Sequence, residues 1–290
     1  MKRVNSLKII GKAKIYEEDE IKYVVKQKTK DLSSLFDYLS SRGVNSFARV
    51  INESDSLVRY EYVSQSKFIN NSSYLEFIKE VSNLHYKTSY FKTESRKVFK
   101  DIYNKLIDKV DYLKGYYLNL IEGIDNERFM SPSSYLIARN YTIISSNLLY
   151  IEKELNSWYN LVKDMSEIRV CIVNNNLKFD NFIKGDKLIF TSWDNYLVDT
   201  PVIDIYKIYR NEYKSTDMVS LFNVYNENFK LREEEIKLFN IMISFPLEID
   251  LSKGEISKVK SVNNMLDYTY RTSKFLSSGV FKELINKQTN

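Results

Sequence analysis

Residues 171–210 read CIVNNNLKFDNFIKGDKLIFTSWDNYLVDTPVIDIYKIYR, and the textures in this stretch organise the rest of the chain. Residues 170–173 are a short apolar run of strand type. A polar loop follows: Asn174-Asn175-Asn176-Leu177-Lys178-Phe179-Asp180-Asn181. Residues 182–184 and 187–191 then flank Gly185-Asp186, a pair at which a small hairpin is expected. Next come Thr191-Ser192-Trp193-Asp194 and Asp199-Thr200-Pro201-Val202-Ile203-Asp204-Ile205, and helical patterning resumes after Pro201.

Upstream of this stretch the chain changes character once. Residues 6–16 and 21–28 are two strand-like runs joined by the polar turn Glu17-Glu18-Asp19-Glu20. Residues 31–41 place Leu32, Leu35, Phe36 and Leu39 on one helical face, with Gly43 as the stop. Residues 48–52 and 56–63 are two further strands. From Ser73 the pattern is helical. Ser73 with Glu76 has the spacing of a capping box, and Tyr74, Ile78, Val81 and His85 share a face. Residues 97–121 form a second helix. Ser131-Pro132 opens a third, along which Ile144, Leu148, Ile151, Leu155 and Trp158 make a long buried stripe. Downstream, helices are expected over residues 203–211, 219–228, 233–244 and 257–286.

Composition excludes several classes. The chain has 290 residues, 43% hydrophobic and 28% charged, as in a soluble globular protein. A net charge of +5 comes from 43 basic and 38 acidic residues spread along the chain. A nucleic-acid binder concentrates its cations in a patch or stripe, so nucleic acid is not the expected partner. The lone Cys171 rules out an intrachain disulfide, and the lone His85 rules out a histidine-rich metal centre. No apolar run reaches membrane-spanning length, and Met1-Lys2-Arg3-Val4-Asn5-Ser6 lacks the apolar core of a signal peptide, so a cytoplasmic protein is expected.

The segment 171–210 resembles the aminoglycoside phosphotransferase and choline kinase superfamily, and within it the spore-coat-associated kinase-like proteins of Gram-positive bacteria. Those families carry a loop His-Gly/Asn-Asp-Leu-x-x-x-Asn, then a hairpin with Ile-Asp-Trp-Glu/Asp, then Asp-x-Pro-x-x-Asp-Leu. The spacing agrees in all three parts. Leu84-His85 followed by Thr88, and Lys26 in Val24-Val25-Lys26, extend the resemblance from about residue 8 to residue 245. It implies an α+β, protein-kinase-like fold of two lobes. Residues 1–66 would form a small antiparallel sheet with one helix, and residues 67–290 a mainly helical lobe holding the catalytic-loop-like segment.

The resemblance also implies ATP and Mg²⁺ as cofactors, with Lys26 on the phosphates and Asn181 on the metal. Phosphoryl transfer further needs a catalytic Asp and a metal-binding Asp. The catalytic Asp position is Asn176, and an amide takes no proton at neutral pH. The metal-binding Asp position is Ser192, a poor ligand for a cation that favours carboxylates. Two nearby carboxylates could substitute: Asp194, provided extended structure continues through residues 192–194, and Asp180, which precedes Asn181 and is otherwise a solvated loop residue. Gly11 is the only glycine before Gly43, so no glycine-rich phosphate loop is present, and Asp37 is the better placed of the two carboxylates that could pair with Lys26. By the same resemblance His85 and Asp204 are scaffold; Trp193 is expected in the core.

Three functions follow from this reading. The first is a pseudokinase that binds a protein partner or a small molecule. The second is an active small-molecule phosphotransferase that uses Asp194 for metal. The third is a structural protein of an assembled spore coat.

Overall fold

The computed structural model describes residues 4–10, 13–64 and 71–279. The fold is α+β, with a small antiparallel sheet at the N-terminal end and mainly helical structure after it. The chain forms two compact units. One comprises Met1–Tyr90, Val170–Glu212 and Ser220–Lys230; the other comprises Phe91–Arg169, Tyr213–Val219 and Leu231–Asn290. The lobe boundary expected at residue 66 lies outside the described residues.

In the first unit β1 (Val4–Ile10), β2 (Ala13–Glu18), β3 (Ile21–Gln27), β4 (Val50–Glu53) and β5 (Leu57–Glu61) make a five-stranded antiparallel sheet in the order β1-β2-β3-β5-β4. The expected single strand over residues 6–16 is two strands, with Ile10 opposite Ala13. Both segments are apolar enough for strand, and a lone glycine inside such a run does not by itself announce a reversal. The β2–β3 hairpin turns at Asp19 and Glu20, which both adopt positive φ, 51° and 68°.

Helix α1 (Ser33–Ser41) follows β3 and buries Leu35, Phe36 and Leu39. It ends on Gly43 at φ 69°, with the Val44 amide on the Leu39 carbonyl and the Gly43 amide on that of Ser40. This is a Schellman closure, and only glycine adopts that φ without strain. Asp31 tightens the other end by accepting from the Ser33 amide at 2.9 Å, which holds its carboxyl below the usual range.

Helix α2 (Asn71–Thr88) is already helical at Asn71. Ser73 is therefore a buried helical residue and not the cap expected from its spacing to Glu76, since a cap must precede the first helical residue.

The unit continues through β7 (Glu167–Val173), a hairpin of β8 (Phe182–Lys184) and β9 (Leu188–Phe190), β10 (Leu197–Asp199), α5 (Val202–Glu212) and α6 (Met218–Asn228). Residues 171–173 of β7 pair antiparallel with β10. An aromatic cluster joins the hairpin to α2: Phe77 meets Phe182 edge-on at 5.3 Å between ring centres, and Phe179 and Phe190 at 5.8 Å. The hairpin tip packs on the chain leaving β5, where a Cβ on Gly185 would stand 2.2 Å from the Ser64 carbonyl oxygen. Gly185→Ala is therefore expected to destabilise by about 1–3 kcal/mol through backbone displacement. A urea melt with an unchanged midpoint would refute that.

The second unit is built on α3 (Lys97–Asp125) and α4 (Pro132–Val162), an antiparallel pair fastened by Tyr103 to Asn156 and Lys114 to Glu152, each at 2.7 Å. Ser131 caps α4 by accepting from the Ser134 amide at 3.2 Å, with Pro132 at the first helical position. Ile144, Leu148, Ile151, Leu155 and Trp158 are all buried, packed toward α7 (Glu233–Ser244) and α8 (Glu255–Ser277). Of the helix expected over residues 257–286, the part beyond residue 279 lies outside the described residues. Two short strands, β6 (Tyr90–Thr93) and β10, have no counterpart in the sequence reading. At three or four residues each, they are too short for periodicity to register. No helix among the described residues is long and apolar enough to cross a membrane.

Candidate active site

The site lies in the first unit, around the loop that leaves β7. Asp204, in the first turn of α5, is fully buried and organises it. Its Oδ1 accepts from the Asn175 amide at 2.7 Å and its Oδ2 from the Asn174 amide at 2.8 Å. His85, also fully buried on α2, lies with Nε2 3.3 Å from the same Oδ2 and Nδ1 2.7 Å from the Tyr225 hydroxyl. An ionised carboxylate only accepts, so Nε2 carries the proton donated to Asp204. Thr88, one turn beyond His85, takes the Ile172 amide at 3.1 Å and so fastens β7 to α2. A helix, a strand and a loop thus meet around one carboxylate.

With its first two amides held, the loop turns sharply. Asn175 stands at φ 60°, a left-handed conformation that asparagine tolerates better than most residues. Its carbonyl accepts from the Lys207 ammonium, and its side chain donates to the Asn195 carbonyl at 3.0 Å. Asn174 is buried; its side chain accepts from the Asn176 amide at 3.2 Å and donates to the Thr191 carbonyl at 3.3 Å. Asn181 donates to the Asn176 carbonyl at 2.8 Å, while its own carbonyl takes the Thr191 amide at 2.8 Å. Asn176 and Asn181 are thereby brought together, and the Asn176 side chain makes no hydrogen bond among the described residues.

The next turn carries Ser192, the position that the sequence reading assigns to a metal-binding Asp. Ser192 stands at φ 61°, ψ 48°, and Trp193–Asn195 form a single 3₁₀ turn. The extended run that would set residues 192 and 194 on one face is therefore absent. Trp193 is buried, donates to the Phe190 carbonyl at 2.9 Å, and meets Phe36 of α1 edge-on at 6.5 Å. Asp194 is exposed and accepts from the Thr29 hydroxyl at 2.7 Å.

Lys26 lies half-buried on β3, opposite Val58 of β5, and forms no ion pair among the described residues, with Asp37 or any other carboxylate. Alternation along β5 puts Tyr60 on the same sheet face as Val58 and Lys26. The Tyr60 phenol is pushed up to about 12, mainly by burial and further by the carboxylates of Asp194 and Glu53. No sequence signal marks Thr29, Tyr60 or Lys207, because none falls in a motif with a spacing to recognise.

The donors at the motif positions fit a divalent cation poorly. The motif positions supply one amide, Asn181, and one hydroxyl, Ser192, where Mg²⁺ favours carboxylate oxygens. Asp194 is engaged by Thr29, and no three His, Cys, Asp or Glu side chains gather among the described residues.

No protein-family model and no curated protein matches this chain. Solved structures do. The chain is similar to an aminoglycoside phosphotransferase from Alicyclobacillus acidocaldarius, with a TM-score of 0.71 at 10% identity over 98% of this chain and 93% of that one. It is also similar to a spectinomycin phosphotransferase solved with AMP, with a TM-score of 0.50 at 10% identity over 92% and 90% of the two chains. At such identities the likeness shows the fold, and the chain has the kinase-like α+β fold of the aminoglycoside phosphotransferases.

Proposed function

We propose that this protein is a kinase-fold binding module, a pseudokinase that holds a nucleotide or small molecule, or a protein partner, without efficient phosphoryl transfer. The observation that carries the reading is that the loop braced around Asp204 runs into Asn176, and the turn after β9 begins at Ser192, so the two positions the motif assigns to carboxylates hold neutral side chains. The bracing engages two buried amides and a histidine, yet the chemical groups it would position are neutral. Lys26 supplies a positive charge on the sheet face it shares with Val58 and Tyr60, and a metal-free nucleotide could use it.

The test is a thermal-shift titration with ATP, with and without Mg²⁺. A ligand at 100 times its dissociation constant adds about 2.7 kcal/mol to the native state. At roughly 2–4 °C per kcal/mol for a chain near this size, the shift is several degrees. The expected result is a shift that does not depend on Mg²⁺, with no phosphorylated product. A Mg²⁺-dependent shift, together with phosphorylation of a small hydroxyl compound that Asn181→Ala abolishes, would overturn the proposal.

The second reading is an active phosphotransferase that recruits Asp194, which is exposed and held by a single threonine hydroxyl. It requires that Asp194→Ala remove both the Mg²⁺ dependence and the activity. The kinship with spore-coat-associated proteins rests on the motif spacing of residues 171–210, and a coat role requires self-association or a defined protein partner without nucleotide.

A further inference from the structure

A cavity of the first unit lies between α1 and the β4–β5 edge of the sheet, and no residue of the Asp204-braced loop lines it. Its volume is about 720 Å³, within the range of roughly 300–1,000 Å³ typical of small-molecule sites. Leu32, Phe36, Phe47 and Val58 line it, each less than a tenth exposed, so its floor is apolar and already formed. Phe36 and Phe47 stack on each other there with ring centres 4.5 Å apart and planes within 5°, which fixes the aromatic part of the floor.

The charged groups on the wall decide which ligand fits. Lys30, Arg49 and Lys187 line the cavity against Asp37 and Glu53, three cations against two carboxylates, a net of one positive charge. Two of these are already answered: Glu53 pairs with Lys28 at 3.3 Å and Lys187 with Glu61 at 3.0 Å. Lys30 lies over the Tyr196 ring at 3.8 Å. The Arg49 guanidinium pairs with no carboxylate among the described residues; the structure uses only its backbone, whose amide donates to the Glu61 carboxylate at 3.1 Å and whose carbonyl accepts from the Glu61 amide. Arg49 lines the cavity and is exposed, and a guanidinium free to form a two-pronged bond recognises a carboxylate, sulfonate or phosphate oxygen pair.

We propose that the cavity between α1 and β4–β5 is a binding site for an apolar molecule carrying one negative charge, whose apolar part rests on the floor of Leu32, Phe36, Phe47 and Val58 and whose anionic group is held by Arg49. Asp37, unpaired among the described residues on the α1 wall, disfavours a second negative charge on the ligand. The site does not depend on whether nucleotide binds. Val58 and Tyr60 line the cavity and share a sheet face with Lys26, so a competition with ATP is what separates this site from a nucleotide site.

The experiment uses the full chain and 8-anilinonaphthalene-1-sulfonate, an aromatic monoanion, in a fluorescence titration with and without excess ATP. The expected result is saturable one-to-one binding that ATP does not displace. Arg49→Ala weakens it at least about tenfold, the scale of one charge-assisted pair; Arg49→Lys restores part of it, and Ser40→Trp, which fills the mouth, abolishes it. The dye also stains loosened proteins, so each variant is checked for an unchanged urea midpoint, and Arg49, being exposed, should pass. Proflavine, a flat cation, is expected not to saturate. Displacement by ATP, equal binding of proflavine, or native affinity in folded Arg49→Ala would each overturn the proposal.

Discussion

The double substitution Asn176→Asp with Ser192→Asp is expected to raise single-turnover ATP hydrolysis by about 10²–10⁴-fold over the natural protein, the usual worth of a positioned general base. The backbone for this gain is in place. Asn176 is tied to Asn181 through its carbonyl, and its side chain is free, so a carboxylate at position 176 would enter a conformation already set by Asp204. Ser192 stands at φ 61°, where aspartate is tolerated better than most residues, so the second carboxylate arrives without a new turn. Each single change should do much less than the pair, because a base without metal and a metal without a base leave the same transition state unsupported. Natural protein already as fast as the double variant would end the pseudokinase reading and point to Asp194.

The second large effect is on stability. Asp204→Ala is expected to cost about 3–5 kcal/mol, the range for removing one partner of a buried charged network. It strips the acceptor from two backbone amides and from His85 in a place water does not reach. Asp204→Asn should lose nearly as much, because its NH₂ would face one of the N–H donors that the carboxylate now satisfies. At roughly 2–4 °C per kcal/mol, the alanine variant should melt at least about 6 °C lower. A midpoint within a degree of the natural protein would show that the loop is held by other bonds, with Lys207 on the Asn175 carbonyl the first to examine.

The shape of the loop and its chemistry rest on different residues. The shape rests on Asp204, His85 and Thr88, which lie on the helices α5 and α2 and fasten to β7 and the loop after it. Under the proposed reading the chemistry rests on Asn176 and Ser192, whose side chains take no part in that brace. A chain can lose the second and keep the first, because a neutral amide at position 176 leaves every brace bond in place.

Much of the molecule is legible in the residues. Leu35, Phe36 and Leu39 on one face, with Gly43 behind them, specify a short helix and its closure. Ser131-Pro132 specifies the start of α4, and the stripe from Ile144 to Trp158 specifies its buried side. Local backbone preference and periodicity act over a few residues, so they can be read in order along the chain. The motif spacing over residues 171–210 likewise marks Asn176, Asn181, Ser192 and Asp204 before any coordinate.

Other features need chain segments far apart in sequence. That Thr29 takes Asp194 across 165 residues, that Tyr60 shares its sheet face with Lys26, and that residues 192–195 turn instead of running on as strand are outcomes of packing. So is the cavity over Phe36 and Phe47, which exists because α1 and β4–β5 leave space between them. The helices, strands β3, β4 and β5 and the loop after β7 were thus written in local chain order. Which groups meet was settled by folding alone, because a hydrogen bond between distant residues depends on where the core sets them.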